Sequence, residues 1–218
     1  MPKLYYQGHG SYRITANNGQ VIYIDPFAGD GYEKPADIIL IAHAHKDHNK
    51  IGLCTQNSNC QIITNEDAII NGVHQAFTVG NITIEAVEAK NFMHNPQKCV
   101  GYVVVVDGVT VYASGDTSKT QQMEKLAEKE IDYAIFCCDG IFNMGLQETT
   151  ECAKIVDAKY NIPVHTSPWF VTLFSEKRAN EWNAPNKIVV KPKEEIELIK
   201  NKESKKMIKS IINLMLRY

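Results

Sequence analysis

The stretch IAHAHKDHNK, residues 41–50, places three histidines and an aspartate within six positions: His43, His45, Asp47 and His48. It ends the apolar run DIILIAH, a pattern typical of a β-strand covered on both faces. In an extended segment residues i and i+2 point to the same side, so His43 and His45 can reach one ion. Asp47 and His48 come after the strand has turned, which suits a second ion nearby.

This stretch can be interpreted as a solvated polar loop or as half of a metal site. Imidazole and carboxylate are the ligands that zinc favours, and manganese and iron also accept them. Four such ligands directly after a buried strand favour the metal site. The sequence therefore predicts one or two divalent ions here, with zinc expected and manganese or iron possible.

The composition predicts a single soluble globular domain. The chain has 218 residues, of which 44% are hydrophobic and 22% are charged, enough to bury a core of its own. The net charge of -2 disfavours a nucleic-acid partner, which normally needs a basic surface. No apolar run approaches the ~20 residues of a membrane span, and the N-terminus MPKLYYQGHG has no signal-peptide core. We expect a cytoplasmic protein with reduced cysteines.

The order of apolar patterns predicts a mixed α/β fold. Short strand-like runs dominate up to residue 140, with hairpin turns at 17–19 and at Asp107-Gly108. Helical patterns cover residues 118–130, where Ser118 or Thr117 is expected to cap the helix, and residues 147–160. Helices placed between strands, some of them linked by hairpins, favour layers of helices and sheets.

The C-terminal residues 201–218 form a separate amphipathic pattern, with apolar residues on one side and lysines on the other. We expect residues 1–200 to form the domain and residues 201–218 to form a helix docked on it or on a partner subunit. A homo-oligomer is therefore possible, and a helix lying on a membrane surface is the alternative.

Several motifs together resemble one known family. HAHKDH resembles the HxHxDH signature of the metallo-β-lactamase fold hydrolases, and GHGSYRI, VIYIDPF, VYASGDT and IPVH resemble further segments of its ascorbate-6-phosphate lactonase-like branch. These segments occur in the family's order from about residue 4 to residue 170. The resemblance implies an α/β fold, the four-layer αββα metallo-β-lactamase sandwich.

The resemblance also implies further metal ligands. Asp116 in VYASGDT matches the carboxylate that bridges two ions, although it is also a plausible helix cap. His165 in IPVH matches the last ligand of the ion held by Asp47 and His48, although it is also a plausible polar residue at a strand end.

One expected ligand is not where the family has it. Most members supply a third histidine to the first ion from the segment before VGYVVVV, and Asn91 stands nearest to that position here. His94 follows three residues later. Either His94 reaches the metal by a different path, or His43, His45 and Asp116 hold the first ion without it.

Three more residues are candidates for supporting the ligands or the substrate. Asp25 matches a position that supports the histidine loop, or it initiates a turn before Pro26. His9 lies near the substrate or is structural, and Asn143 belongs to a loop expected to line the pocket. His74 matches no family position and is expected in a surface loop.

The implied chemistry is hydrolysis by a metal-bound hydroxide, because divalent ions lower the pKa of a bound water towards neutrality. Asp47 is the expected catalytic residue, orienting the nucleophile and carrying its proton. The expected substrate is a small ester, lactone or phosphorylated metabolite. The alternatives are a phosphodiesterase or nuclease of the same fold and a non-catalytic metal-binding protein.

Overall fold

A computed structural model of the protein describes residues 1–200. The predicted amphipathic helix at residues 201–218 lies outside the described residues. Within residues 1–200, no helix is both long and apolar enough to cross a membrane.

The described residues form fourteen strands and four α-helices. The strands are β1 (Lys3–Gly8), β2 (Ser11–Thr15), β3 (Val21–Ile24), β4 (Ala36–Leu40), β5 (Gln56–Ile63), β6 (Ile69–Ile70), β7 (Val73–His74), β8 (Ala76–Val79), β9 (Ile82–Glu88), β10 (Val100–Val106), β11 (Val109–Ala113), β12 (Tyr133–Cys137), β13 (Tyr160–Val164) and β14 (Glu195–Glu197). The helices are α1 (Asn65–Ala68), α2 (Met123–Leu126), α3 (Leu146–Val156) and α4 (Glu176–Glu181).

Two six-stranded mixed sheets contain twelve of these strands. The first sheet has the order β14-β1-β2-β3-β4-β5 and the second has the order β13-β12-β11-β10-β9-β8. The predicted hairpins are confirmed, since β2 pairs with β3 and β10 with β11 in antiparallel register. Asp107 and Gly108 both have positive φ, the conformation that a two-residue hairpin turn of type I′ requires.

The core lies between the two sheets, where alternate residues of each strand meet. Residues such as Ile14, Ile22 and Ile38 of the first sheet face Tyr102 and Val104 of the second. All six cysteines have free thiols, as predicted, and all but one are buried. The predicted α/β sandwich is therefore confirmed.

Helices cover only one of the two outer sheet faces within the described residues. On the second sheet, Tyr112 and Phe136 pack against side chains of α2 and α3 and against Trp182. On the first sheet, Tyr23 and Ile39 are covered by side chains that include Tyr32 and Cys54 of the connecting loops.

The first helix prediction was too long. Over residues 118–130 only α2 is α-helical, and a 3₁₀ turn at Ala127–Lys129 follows it. The predicted cap was wrong because the Thr117 hydroxyl accepts the backbone N–H of Lys90, while the Ser118 N–H donates to the Lys90 carbonyl. These bonds hold the loop against the end of β9.

The second helix prediction also ran too far. The helix over residues 147–160 is α3, which ends at Val156 because Asp157 adopts a left-handed conformation with φ 54°. The chain then enters β13 at Tyr160.

Candidate metal centre

The predicted ligands gather at one edge of the sandwich because each follows the end of a strand. His9 follows β1, Asp25 follows β3, residues 43–48 follow β4, His94 follows β9, Asp116 follows β11 and His165 follows β13. His9, Asp25 and His165 have positive φ values of 54°, 47° and 46°. Such conformations cost of order 1 kcal/mol or more in non-glycine residues and cluster at functional sites.

His43, His45 and His94 form the first group of ligands, with one nitrogen of each lying within 4.8 Å of the others. His94 Nε2 lies 3.2 Å from His45 Nδ1, and the His94 ring centre lies 4.7 Å from that of His43. Of the two arrangements that the sequence left open, the structure has the one in which His94 joins the histidines of residues 43–48.

Asn91 orients His94. Its Oδ1 atom accepts the backbone N–H groups of Met93 and His94 at 2.8 and 3.0 Å, so it is the oxygen of the amide. The His94 Nδ1 atom lies 2.8 Å from the same oxygen and must therefore carry the proton of a neutral ring. This leaves the Nε2 lone pair of His94 directed towards the first group. Sequence reasoning noted only that Asn91 stands nearest to the usual position of the third histidine, and it missed this role.

Asp47, His48 and His165 form the second group, and His9 lies among them. The Asp47 carboxylate is 3.1 Å from His9 Nε2 and 3.9 Å from His48 Nε2. The rings of His9 and His165 pack with their centres 3.6 Å apart. His9 is fully buried and contacts the predicted ligand Asp47 directly. This position favours a role beside the ligands over a purely structural one.

Asp116 connects the two groups. Its Oδ2 atom lies 3.4 Å from His48 Nε2, 3.8 Å from His165 Nε2 and 3.7 Å from His94 Nε2. The helix-cap alternative is wrong, because α2 begins seven residues later and has no side-chain cap. The position between the groups is the one that a bridging carboxylate requires.

Two buried carboxylates lie behind the second group. Asp25 Oδ2 is 3.0 Å from His48 Nδ1, while Asp25 Oδ1 accepts the backbone N–H of Ala42 at the end of β4. Asp139 Oδ2 is 3.2 Å from His165 Nδ1. A carboxylate hydrogen-bonded to the outer ring nitrogen, as Asp25 is to His48, fixes the tautomer and the orientation of a ligating histidine, whereas Asp139 lies beside His165 Nδ1 without a hydrogen bond to it.

Asp139 is a residue that sequence reasoning missed. Its Oδ1 atom accepts the backbone N–H groups of Ile141 and Phe142, both at 2.7 Å. Asn143 donates to Asp139 Oδ2 at 2.7 Å, so the nearest partner of Asn143 is Asp139. The available signal was an aspartate directly after the strand YAIFCC, in the same position as Asp25 after VIYI.

Burial and charge set the protonation of the cluster. Burial lowers the pKa of His43 to about 2 and the pKa of His165 to about 4, and it also lowers the pKa of His94. Burial also lowers the pKa of His48, but the carboxylates of Asp116 and Asp25 outweigh it and raise that pKa well above its usual range. Neutral histidines with free lone pairs are the form that binds metal.

The donor set fits a divalent cation. His43 has no hydrogen-bond partner at either ring nitrogen, and His48 Nε2, His165 Nε2 and Asp116 Oδ1 are also buried without one. Unpaired buried polar atoms are costly, each by about 1–3 kcal/mol. Cations bound among these atoms would give each of them a partner.

The surroundings of the site include a cavity of about 490 Å³ next to the first group, bordered by Asn65, Met93, Gln97 and Lys98. His74 belongs to neither ligand group. It lies in β7 and is half-buried, so its prediction as a surface loop residue was wrong. Strand pairing of β6 with β7 holds it away from the site edge.

Comparisons with known proteins agree with this geometry. Residues 3–165 match the model of a family described as Beta-lactamase superfamily domain. A UPF0173 metal-dependent hydrolase of Pyrococcus furiosus is 26% identical over 91% of this chain and 100% of its own. A UPF0173 metal-dependent hydrolase of Alkaliphilus metalliredigens is 29% identical over 82% of this chain and 92% of its own.

Solved structures share the fold. Igni18, a metallo hydrolase of Ignicoccus hospitalis, superposes with a TM-score of 0.69 at 19% identity, over 89% of this chain and 97% of its own. A putative metal-dependent hydrolase of Parabacteroides distasonis superposes with a TM-score of 0.68 at 24% identity, over 86% of this chain and 92% of its own.

Proposed function

Because the chain belongs to the Beta-lactamase superfamily domain family and has the metallo-β-lactamase fold, we propose that it is a metal-dependent hydrolase of a small molecule. One observation carries this proposal. The buried Asp116 carboxylate lies 3.4–3.8 Å from imidazole nitrogens of both ligand groups, so it can be shared by two cations. The relatives named as metal-dependent hydrolases support the same reaction class.

In this proposal each group holds one divalent ion. His43, His45 and His94 would hold the first ion, whereas Asp47, His48 and His165 would hold the second. Asp116, which lies between the two groups, would be available to both. Nitrogen and carboxylate ligands favour zinc, and manganese or iron also suits them. A dinuclear zinc site is therefore the finer part of the proposal.

The catalytic roles follow from the positions of the side chains. Bound divalent ions supply Lewis acidity, which lowers the pKa of a water and polarises the substrate. Asp47 is partly exposed, unlike the buried carboxylates of Asp25 and Asp116. Burial raises the pKa of Asp47, but the hydrogen bond from His9 outweighs it and keeps the carboxylate ionised. In this proposal the ionised Asp47 orients the attacking water and carries its proton to the leaving group.

The remaining sequence predictions are further parts of this proposal. They are the place in the ascorbate-6-phosphate lactonase-like branch, the docked C-terminal helix, the homo-oligomer and the cytoplasmic location. The nuclease and the non-catalytic protein are the rival functions.

Metal content and hydrolysis test the proposal together. We expect two ions per chain by elemental analysis, with Asp116→Asn lowering that number and abolishing hydrolysis. Asp107→Asn is the matched control, since Asp107 is exposed in the β10–β11 turn and asparagine tolerates its positive φ. No metal after supplementation of the folded protein would refute the site. Preferred cleavage of a phosphodiester would favour the nuclease, and bound metal without any hydrolysis would favour the non-catalytic protein.

A further inference from the structure

The loops around the metal centre carry exposed apolar side chains. Within residues 1–200, all three exposed aromatic side chains lie in these loops: Phe92 in the His94 loop, and Trp169 and Phe170 in the loop after His165. Trp169 is 50% exposed and Phe170 is 60% exposed. Contiguous apolar surface next to a site is typical of a binding surface.

Ring contacts join Trp169 and Phe170 to the less exposed Phe27 and Phe142, and we call these four side chains the aromatic rim. The Phe27 and Trp169 ring centres are 6.1 Å apart, those of Trp169 and Phe170 are 5.9 Å apart, and those of Phe142 and Phe170 are 6.2 Å apart. These distances are within the range of favourable aromatic pairs.

Both ends of the aromatic rim contact residues of the metal centre. At one end the Phe27 ring centre lies 5.1 Å from that of His9, which bonds Asp47. At the other end the Phe142 carbonyl accepts a hydrogen bond from Asn91 Nδ2 at 2.8 Å, and Asn91 orients His94. A molecule bound at the metal centre would therefore have the aromatic rim beside it.

The two segments that carry Phe142, Trp169 and Phe170 offer no charged group to an anion. The segments GIFNMGL (140–146) and TSPWFVTLF (166–174) contain no charged residue. The ammonium of Lys50 stacks over the Phe27 ring at 4.3 Å from its centre. Lys98 lies in the cavity beside the first ligand group. Phosphate recognition normally uses arginine or lysine side chains directed at the phosphoryl oxygens, and these two segments supply none.

We propose that the aromatic rim binds an apolar acyl or aryl group, so that the substrate is a carboxylic ester or lactone carrying such a group rather than a phosphorylated metabolite. This inference rests on the proposed hydrolase function. In the reaction, water adds to the acyl carbon and the acyl C–O bond breaks. An ester gives a carboxylic acid and an alcohol, and a lactone gives a single hydroxy acid. In both cases the alcohol oxygen receives a proton from the attacking water.

Turnover of matched substrates tests the selectivity. The metal-loaded full chain is assayed with p-nitrophenyl acetate, p-nitrophenyl octanoate and p-nitrophenyl phosphate, each kept below its micellar concentration. We expect the wild type to have its highest kcat/KM with the octanoate. Trp169→Ala and Phe170→Ala should each lower the kcat/KM for the octanoate alone by about tenfold, because a few methylenes bound on an apolar surface have an effect of this size. Val73→Ala is the control, because Val73 is 61% exposed in β7. Equal kcat/KM for both esters, or preference for the phosphate, would overturn the proposal.

Binding without turnover separates this inference from the proposed function. Trp182 is buried and Trp169 is exposed, so a change in tryptophan fluorescence reports on Trp169. We expect sodium octanoate to shift the tryptophan emission to shorter wavelength, whereas sodium acetate and inorganic phosphate should leave it unchanged. The Trp169→Phe variant should show no shift with octanoate. A shift without hydrolysis of any ester supports the apolar site and refutes the hydrolase. Hydrolysis without a shift supports the hydrolase and overturns the apolar site.

A second copy of the chain is the rival occupant of this surface. Sedimentation of the wild type and of the Trp169→Ala, Phe170→Ala double variant distinguishes it. Equal masses support a substrate site. A dimer that the double variant converts to a monomer would make the aromatic rim a subunit interface and overturn the proposal.

Discussion

The Nδ1 atom of His94 lies 2.8 Å from the side-chain oxygen of Asn91, three residues earlier in the same loop. That oxygen also accepts two backbone N–H groups, so its position is determined by the loop itself. The third histidine of the first ligand group is therefore held by an asparagine of its own loop.

Removal of this support should weaken the first metal site. We expect Asn91→Ala to lower the affinity for one ion by about 10–100-fold, the usual effect of losing a group that orients a ligating histidine. Competition with a chromophoric chelator measures the affinity. Asn95→Ala is the control, because the Asn95 side chain bonds only the nearby Gln97 N–H among the contacts of this loop. Equal affinities in both variants would show that His94 needs no support from Asn91.

The position of the His48 ring should require a glycine at residue 10. A Cβ atom at Gly10 would lie 2.9 Å from His48 Cε1, and the ring cannot move freely because Asp25 holds its Nδ1 atom. We expect Gly10→Ala to reduce the free energy of unfolding by about 1–3 kcal/mol and to weaken metal binding.

Gly52→Ala provides the matched control for this change. A Cβ atom at Gly52 meets no atom within 4 Å, so its substitution should change stability by less than about 0.5 kcal/mol. Urea unfolding of both variants measures the difference. A Gly10→Ala protein as stable and as metal-loaded as the Gly52→Ala protein would contradict the steric argument.

His9 should act through its Nε2 atom on Asp47. We expect His9→Phe, which retains a ring against Phe27 and His165, to lower the affinity for the second ion by about 10–100-fold. His74→Phe is the control at a histidine outside both ligand groups. Metal content after dialysis against a weak chelator measures the loss. Retention of both ions in His9→Phe would restrict His9 to packing.

The stabilisation of the folded protein by bound metal should depend on pH, because a proton and a cation compete for His48. Without metal, the carboxylates of Asp116 and Asp25 outweigh burial and raise the pKa of His48. A raised folded-state pKa contributes stability that is complete below the unfolded-state pKa of about 6.5 and is lost as pH rises through the folded-state pKa. A bound cation keeps His48 neutral and does not depend on that proton.

The Tm difference between metal-loaded and metal-free protein should therefore increase as the pH rises above about 6.5 and approaches the raised folded-state pKa of His48. Differential scanning calorimetry of both forms across this range measures it. A difference that stays constant or decreases with pH would contradict the raised pKa of His48.

Local patterns were sufficient to predict most of the fold and to select the candidate ligands that the structure brings together. The alternation of short apolar runs predicted the hairpins β2–β3 and β10–β11, and the buried run before His43 predicted β4. The HxHxDH spacing predicted that His43 and His45 share a side as residues two apart on a strand, but β4 ends at Leu40 and both histidines lie in the loop after it, where His94 joins them. Helix lengths were less predictable, since the hydrogen bonds between residues 117–118 and Lys90 override the helical pattern after Asp116.

The sequence by itself determined which chemical groups stand at the ends of the strands, because strand periodicity and residue type are local properties. Only the tertiary structure decided that His94 rather than Asn91 faces His43, that Asp139 lies beside His165, and that His9 bonds Asp47. It also decided that Phe142 and Trp169 join one surface with Phe170. These contacts depend on how two sheets pack and bring their strand ends together, which no single stretch of the chain encodes.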